Sequence, residues 1–309
     1  MISIKQLRYF SAVAQTGHFG MAAEQCAVTQ PALSMQIQEL ERELGLQLLE
    51  RGRRGVSLTP GGRKIAERAT RVLADVNDLV DSARQLAGSF SGTLRLGAIP
   101  SIAPYLLPQL LPLIRSTYPD LDLHLRETQT QRLLDELVDG QLDVVLLALP
   151  VEHAGIQTAA LFNDRFLLAL PASRKVSGSV RATSDLLMHD RLLLLEEGHC
   201  LRDQALAFCE LRQVDSINTF GASSLSTLVQ MVANGLGLTL LPEISVDLEA
   251  RRADIRLMRF AEPEPSRILG LAWRSSSPRK HDFVELGKLI VSIAQRRMAQ
   301  RRTLKFTLG

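Results

Sequence analysis

The chain has 309 residues, more than a single ordinary core organises, so two or three domains are expected. Its 46% apolar and 22% charged residues sit near globular averages and exclude a disordered chain, and no stretch reaches the roughly 18 uninterrupted apolar residues of a membrane span. The net charge of +3 singles out no partner, but 30 of the 36 basic residues are arginine, the side chain that forks onto phosphates and carboxylates.

Lys5, Arg8 and the polar residues after them break any apolar leader, so no secretory signal is read and the chain is expected in the cytoplasm. Ile4, Leu7, Phe10, Val13 and Ala14 form a helical stripe over residues 4–16, which Thr16-Gly17-His18 interrupts. A short second helix is predicted from Phe19 to Ala27, with Ala22 and Ala23 small enough for close packing. Thr29 fits an N-cap and Pro31 the first turn of a third helix running to Leu44, with Leu33, Ile37, Leu40 and Leu44 on one face and Gly45 as its stop. Two helices joined by a tight turn, the second opening on short polar side chains, form the helix-turn-helix pattern. Thr29, Gln30, Pro31, Ser34 and Gln36 then belong to the end that enters a major groove, where helix N–H groups also suit a phosphate.

From Arg51 to Arg71 there are seven basic residues against one acid, Glu67. Alone such a run is a solvated surface. Beside this motif, Arg51, Arg53 and Arg54 read as a wing lying along the duplex. Arg63 to Ala87 reads as one long helix with Ile65, Ala69, Val72, Val76, Leu79, Ala83 and Leu86 at alternating steps of four and three, a coiled-coil seam that predicts a dimer helix. The Ser/Gly stretch to Gly92 ends it as a linker. A dimer gives a DNA reader two half-sites.

The segment LRYFSAVAQTGHFGMAAEQCAVTQPALSMQIQELERELGLQLLERGRRGVSLTPGG resembles the N-terminal domain of the LysR-type transcriptional regulators. The resemblance spans this whole module. It implies DNA binding through the helix beginning near Gln30, a wing near Arg53 and a dimerising linker helix. The expected fold is therefore an all-α winged helix-turn-helix over 1–62, a linker helix over 63–88 and an α/β regulatory domain over 89–309.

After Gly92, strand and helix patterns alternate: strands over 93–99, 121–127, 142–149, 166–170, 192–196, 217–220, 238–241, 255–259 and 268–273, helices over 105–118, 132–139, from Cys200, 224–233 and 283–295. This is α/β with mostly parallel strands expected. Two lobes are predicted, one of about 92–162 with 267–309 and one of about 163–266, with a cleft between them at strand C-termini. The family resemblance implies the same two-lobed fold, like that of periplasmic solute-binding proteins. No phosphate loop, zinc spacing or dinucleotide fingerprint occurs, so no cofactor and no metal site is expected.

Three cysteines, an odd number in a chain of this length, argue against a disulfide scaffold. Cys26 falls at a small, buried helical position and reads as structural. Cys200 and Cys209 lie in EEGHCLRDQALAFCE. Residues 200–211 read as helix, on the stripe Leu201, Ala205 and Phe208. Nine helical residues turn the two thiols to opposite sides and separate them by roughly 13 Å of rise. A bridge needs Cα atoms within about 7 Å, so none forms while the helix persists. The pair is either two unrelated thiols or a switch. Cys200 at a helix start, beside His199 and Arg202, is a credible nucleophile, since N–H groups and the macrodipole there favour negative charge.

The segment LEEGHCLRDQALAFC resembles the redox segment of the peroxide-sensing LysR-type regulators. IPSIAPYLLPQLLP, ETQTQRLLDEL, LDVVLLAL, TLVQMVANGLGLTLLP and PEPSRILGLAWR extend the likeness. The resemblance implies Cys200 as the peroxidatic and Cys209 as the resolving cysteine, with Ser101, Thr130, His199 and Arg267 lining a hydrogen peroxide pocket. Ser101 stands where the family pattern often has Thr. Without the resemblance, Ser101 and Thr130 read as helix caps and Arg267 as a surface ion-pair partner. The implied protein is a regulator and not an enzyme. Its implied partners are promoter DNA, hydrogen peroxide, a second copy through the linker helix, a homotetramer built from such dimers, cellular dithiol reductants and RNA polymerase. The alternative is a regulator that senses a small organic effector in the interlobe cleft, with incidental cysteines.

Overall fold

The computed structural model describes residues 1–52, 55–86, 90–174, 181–183, 190–208 and 222–305. The chain forms two compact units, the first built on the first 88 residues.

In that unit, α1 (Ile4–Thr16) starts on a capping box: the Ser3 hydroxyl accepts from the Gln6 N–H while the Gln6 side chain reaches back to the Ser3 N–H. Gly17 closes it at φ 64°. α2 (Phe19–Gln25) is capped by His18, whose Nδ1 accepts from the N–H groups of Gly20 and Met21 at 3.1 and 3.3 Å. α3 (Gln30–Leu44) follows. Thr29 holds the N-cap backbone position, but its side chain makes no capping bond, which corrects the capping role expected of it. Cys26 is half-buried and forms the C-cap of α2, more open than the buried position expected. Phe10, Val13, Ala22, Leu33, Ile37, Leu40 and Leu48 form the core, with Ala22 fully enclosed between helices. A two-stranded wing, β1 (Leu49–Gly52) and β2 (Gly55–Leu58), is antiparallel. It is tied to α3 by Glu41, whose carboxylate accepts from the Leu48 and Leu49 N–H groups. α4 (Pro60–Leu86) begins three residues before the expected start. It packs closely there, since a Cβ on Gly62 would lie 2.0 Å from the Leu48 carbonyl oxygen.

Between α2 and α3, Ala27 sits at φ 54°, the left-handed region that costs an L-residue with a Cβ about 1–2 kcal/mol. Its side chain is exposed, so glycine loses no packing. Ala27→Gly is therefore expected to stabilise the head by about 1 kcal/mol, read as a rise of several degrees in its melting temperature. An unchanged or lower melting temperature would show that the turn is unstrained.

In the second unit, β3 (Gly92–Ala98), β4 (Leu121–Glu127) and β5 (Val144–Leu149) pair in parallel, β3 between the other two. The helices α5 (Ala103–Thr117) and α6 (Thr130–Val138) connect them. β5 then pairs antiparallel with β9 (Ser266–Arg274), and β9 antiparallel with β6 (Ile156–Pro171). β6 leaves β9 after Arg165 and pairs onward with β7 (Thr239–Pro242) and β8 (Ile255–Arg259), both antiparallel. One 16-residue strand thus serves both lobes, where sequence reading placed a strand only over 166–170. Among the described strands of this sheet most pairings are antiparallel, correcting the mostly parallel expectation. The reason is topological: the two crossing strands β6 and β9 run against their neighbours. In the second lobe the described parallel contacts are single bridges, Ala182 with Phe260, Leu192 with Leu238 and Leu195 with Ala222. Leu192–Glu196 is consequently not a full strand, although Leu192 to Leu195 are all buried. The expected strand over 217–220 lies outside the described residues.

Further described helices of the unit are α7 (Cys200–Phe208), α8 (Leu225–Ala233) and α10 (Lys280–Lys305), with a one-turn α9 (Val246–Glu249) before β8. One continuous core runs from Leu94 and Leu96 through Val144–Leu147 to Leu240, Leu269, Phe283 and Ile290. No described helix is long and apolar enough to cross a membrane.

Candidate functional site

Three helix starts and one strand start hold the residues singled out by the sequence. Ser101 precedes α5, Thr130 opens α6, His199 immediately precedes Cys200 at the start of α7, and Arg267 is the second residue of β9. The Thr128 N–H donates to the Ala98 carbonyl, so the loop after β4 lies against the end of β3. Gln129 then donates from Nε2 to the Glu197 carbonyl at 3.3 Å. Gly198, at φ 89°, turns directly over that amide, and a Cβ there would come within 2.6 Å of the Gln129 oxygen. The loop leading into Cys200 therefore rests on the residue beside Thr130.

Cys200 is a free, half-buried thiol at the first position of α7, packed against the main core. Leu201 and Ala205 anchor the helix, and Phe208 meets Phe260 edge-on at 5.1 Å between centroids. The Arg202 guanidinium donates to the Leu195 carbonyl at 3.3 Å. His199 is buried, its Nε2 3.7 Å from the Glu196 carboxylate. Cys209, Arg53 and Arg54 lie outside the described residues.

Arg267 is 3% exposed, not the surface residue its bare sequence context suggests. Its Nε donates to Asp164 Oδ2 at 2.9 Å, Nη1 to the Ser101 hydroxyl at 2.8 Å and Nη2 to the Ser101 carbonyl at 3.0 Å. Ser101 is accordingly a partner of the guanidinium and not a helix cap; Ile102 holds that position. Asp164 Oδ1 accepts from the Ile244 N–H at 3.0 Å. Burial pushes the Asp164 carboxyl upward from its ordinary range, and Arg267 opposes the shift.

Among the described residues, two buried side-chain oxygens make no hydrogen bond within the chain: Thr130 Oγ1 and Gln204 Oε1. Gln204 lies one helical turn beyond Cys200, on the same face. Sequence reading passed over Gln204, Gln129 and Asp164. A lone amide or carboxylate carries no local pattern, though the four-residue step from Cys200 could have flagged Gln204. The described contacts gather Ser101, Asp164 and Arg267 into one cluster and Gln129, Glu197 and Gly198 into another at the loop before Cys200.

In the first unit, Thr29, Gln30 and Pro31 are exposed at the start of α3, and Ser34 is half-buried one turn on. Gln36 instead bonds Glu39 through its amide at 3.2 Å. Arg51 lies in β1. Along α4, Val72 and Leu79 are exposed hydrophobics on the predicted seam, while Ala69 is buried in the head's core.

A winged helix-turn-helix unit, a long helix and a two-lobed α/β unit define a bacterial DNA-binding regulator. The chain belongs to the LysR family of transcriptional regulators: residues 4–63 match the bacterial regulatory helix-turn-helix proteins of the lysR family, and residues 87–289 match the LysR substrate binding domain. It is 46% identical over 286 residues to a probable hydrogen peroxide-inducible genes activator of Streptomyces viridosporus, covering 92% of each chain. It is 40% identical over 289 residues to OxyR of Escherichia coli K12, a DNA-binding transcriptional dual regulator, covering 94% of this chain and 95% of that one. A full-length OxyR variant from Pseudomonas aeruginosa is similar in structure, with a TM-score of 0.78 at 37% identity over 94% of this chain and 98% of that one.

Proposed function

We propose that this chain is a transcriptional regulator that senses hydrogen peroxide through a reversible disulfide between Cys200 and Cys209. The observation that carries this reading is the free Cys200 thiol opening α7, beside buried His199 and on a loop pinned to the residue next to Thr130. Relatives named for hydrogen peroxide-inducible activation support it.

The chemistry balances in two steps. The Cys200 sulfur attacks one peroxide oxygen, the O–O bond breaks, and the departing hydroxide takes a proton to leave as water. Cys200 is then a sulfenic acid. The Cys209 sulfur attacks that sulfur, the S–O bond breaks, and a second water leaves with the Cys209 proton. Arg267 stabilises negative charge on the thiolate and the leaving hydroxide. The Ser101 and Thr130 hydroxyls orient the peroxide, and His199 donates to the same network. A cellular dithiol returns the bridge to two thiols.

The head over 1–62 reads promoter DNA through Thr29, Gln30, Pro31, Ser34 and Gln36, with the wing arginines Arg51, Arg53 and Arg54 on the backbone. The linker segment over 63–88, which includes most of α4, joins two copies, and two such dimers make a tetramer. The domain over 89–309 senses. Oxidation acts as the differential ligand, because only one arrangement of the second lobe accepts the bridge. RNA polymerase receives the output.

The test is chemical. Reduced protein treated with one equivalent of peroxide, alkylated and digested is expected to yield a single bridged peptide pair containing Cys200 and Cys209. Recovery of both as alkylated thiols would overturn the reading.

A further inference from the structure

Arg267 and Asp164 stand directly opposite each other across the antiparallel β6–β9 pair, at the point where β6 leaves one lobe for the other. Their side chains are 1% and 0% exposed. Both oxygens of the carboxylate are committed: Oδ2 to Arg267 Nε, Oδ1 to the Ile244 N–H in the segment after β7. The Phe166 ring lies 5.9 Å from the guanidinium carbon. A guanidinium has five N–H groups. Three are spent here, one on Asp164 and two on Ser101, leaving one on each terminal nitrogen. Where those last two point is fixed by the first three.

We infer that Asp164 is a positioning residue for the peroxide reaction, holding the Arg267 fork on Ser101 and setting how much of its positive charge remains for the reacting atoms. This rests on the reading above that Arg267 serves Cys200 oxidation. The physics is specific. Without the carboxylate, the guanidinium can rotate about its last torsions. Small misplacements of a preorganised donor cost far more in rate than in binding. Asp164 makes none of the bonds to peroxide, so its effect passes entirely through Arg267.

The test compares two electrophiles on the full-length protein. One is hydrogen peroxide, whose transition state needs the fork. The other is iodoacetamide, and both rates are taken per thiolate from their pH profiles, so that any change in thiol ionisation cancels and only the fork's part in O–O cleavage remains. Asp164→Asn is expected to slow Cys200 oxidation by about tenfold, while alkylation stays within about twofold. Asp164→Glu, which keeps the charge and the acceptor, is expected to restore the peroxide rate. An unchanged peroxide rate in Asp164→Asn, or an equal fall in both reactions, overturns the inference, the latter because it marks a role in folding alone. If Asp164→Asn does not fold, Asp164→Ala is measured with added formate as a replacement carboxylate. A peroxide rate that rises with formate while alkylation does not supports positioning, and a rate indifferent to formate overturns it. Arg267→Lys separates this inference from the reading beneath it. If Arg267→Lys oxidises like the parent, the proposed pocket fails. If it is slow while Asp164→Asn is not, only the assignment to Asp164 fails.

Discussion

Cys200→Ser is expected to abolish the peroxide response altogether, leaving the promoter footprint of the treated protein identical to that of the untreated one. A serine hydroxyl at neutral pH is not a nucleophile toward an O–O bond, so no partial activity remains to be measured. Cys209→Ser is expected to behave differently. It still consumes one peroxide and gains one oxygen in mass, but stops at the sulfenic acid with its footprint unshifted. The contrast follows from distance. Were helical geometry continued from Cys200 to position 209, about 13 Å of rise would separate residues that must approach within about 7 Å. Forming the bridge therefore unwinds α7, and Leu201, Ala205 and Phe208 lose their seats on the core. Exposing one buried leucine costs about 2 kcal/mol. In the proposed switch that cost would divide the two states and make the bridge easier to reduce, by about 30 mV for each 1.4 kcal/mol. A normal peroxide-induced footprint in Cys200→Ser would remove the thiol from the mechanism.

Elements with local patterns were legible in the sequence, and features made by distant contacts were not. The stripes of α1 and α3 and the Gly45 stop act within a few residues, and the structure has them at or within one residue of the expected limits. The His18 cap escaped because an imidazole caps a helix only through a neutral Nδ1, a role its position alone does not advertise. The first part of β6 escapes a sequence reading because residues 156–165 are exposed or half-buried, all but Asp164, and keep no clean alternation. Its first half is specified by β9, more than 100 residues downstream in pairs such as Asp164 with Arg267. Periodicity holds no information about such partners. The same holds for the site. Cys200 stands out from GHC and the helical stripe, whereas the Asp164 carboxylate behind Arg267 becomes visible only with the strand register.

The second large effect is expected in α4. Leu79 is 71% exposed and Val72, seven residues earlier, is also open to solvent. Both lie on the 4-3 seam, so a charge at either costs the isolated helix little and an intended partner a great deal. The double change Val72→Asp with Leu79→Asp is expected to split the linker dimer, read as a halved or lower mass by light scattering. Each half-site would then be bound singly. Linked sites gain roughly 10²–10⁴ in affinity over single ones, so operator binding should fall by at least about a hundredfold. The slope of log affinity against log salt should fall with it, because one head neutralises half the phosphates of two. Cys200 oxidation requires none of this, and its rate should be unchanged. A variant that keeps both its mass and its operator affinity would show that the seam is a solvated face and that dimerisation resides in another surface. A variant that loses affinity without losing mass would place the seam in the head's own stability, which melting of residues packed around Ala69 would reveal.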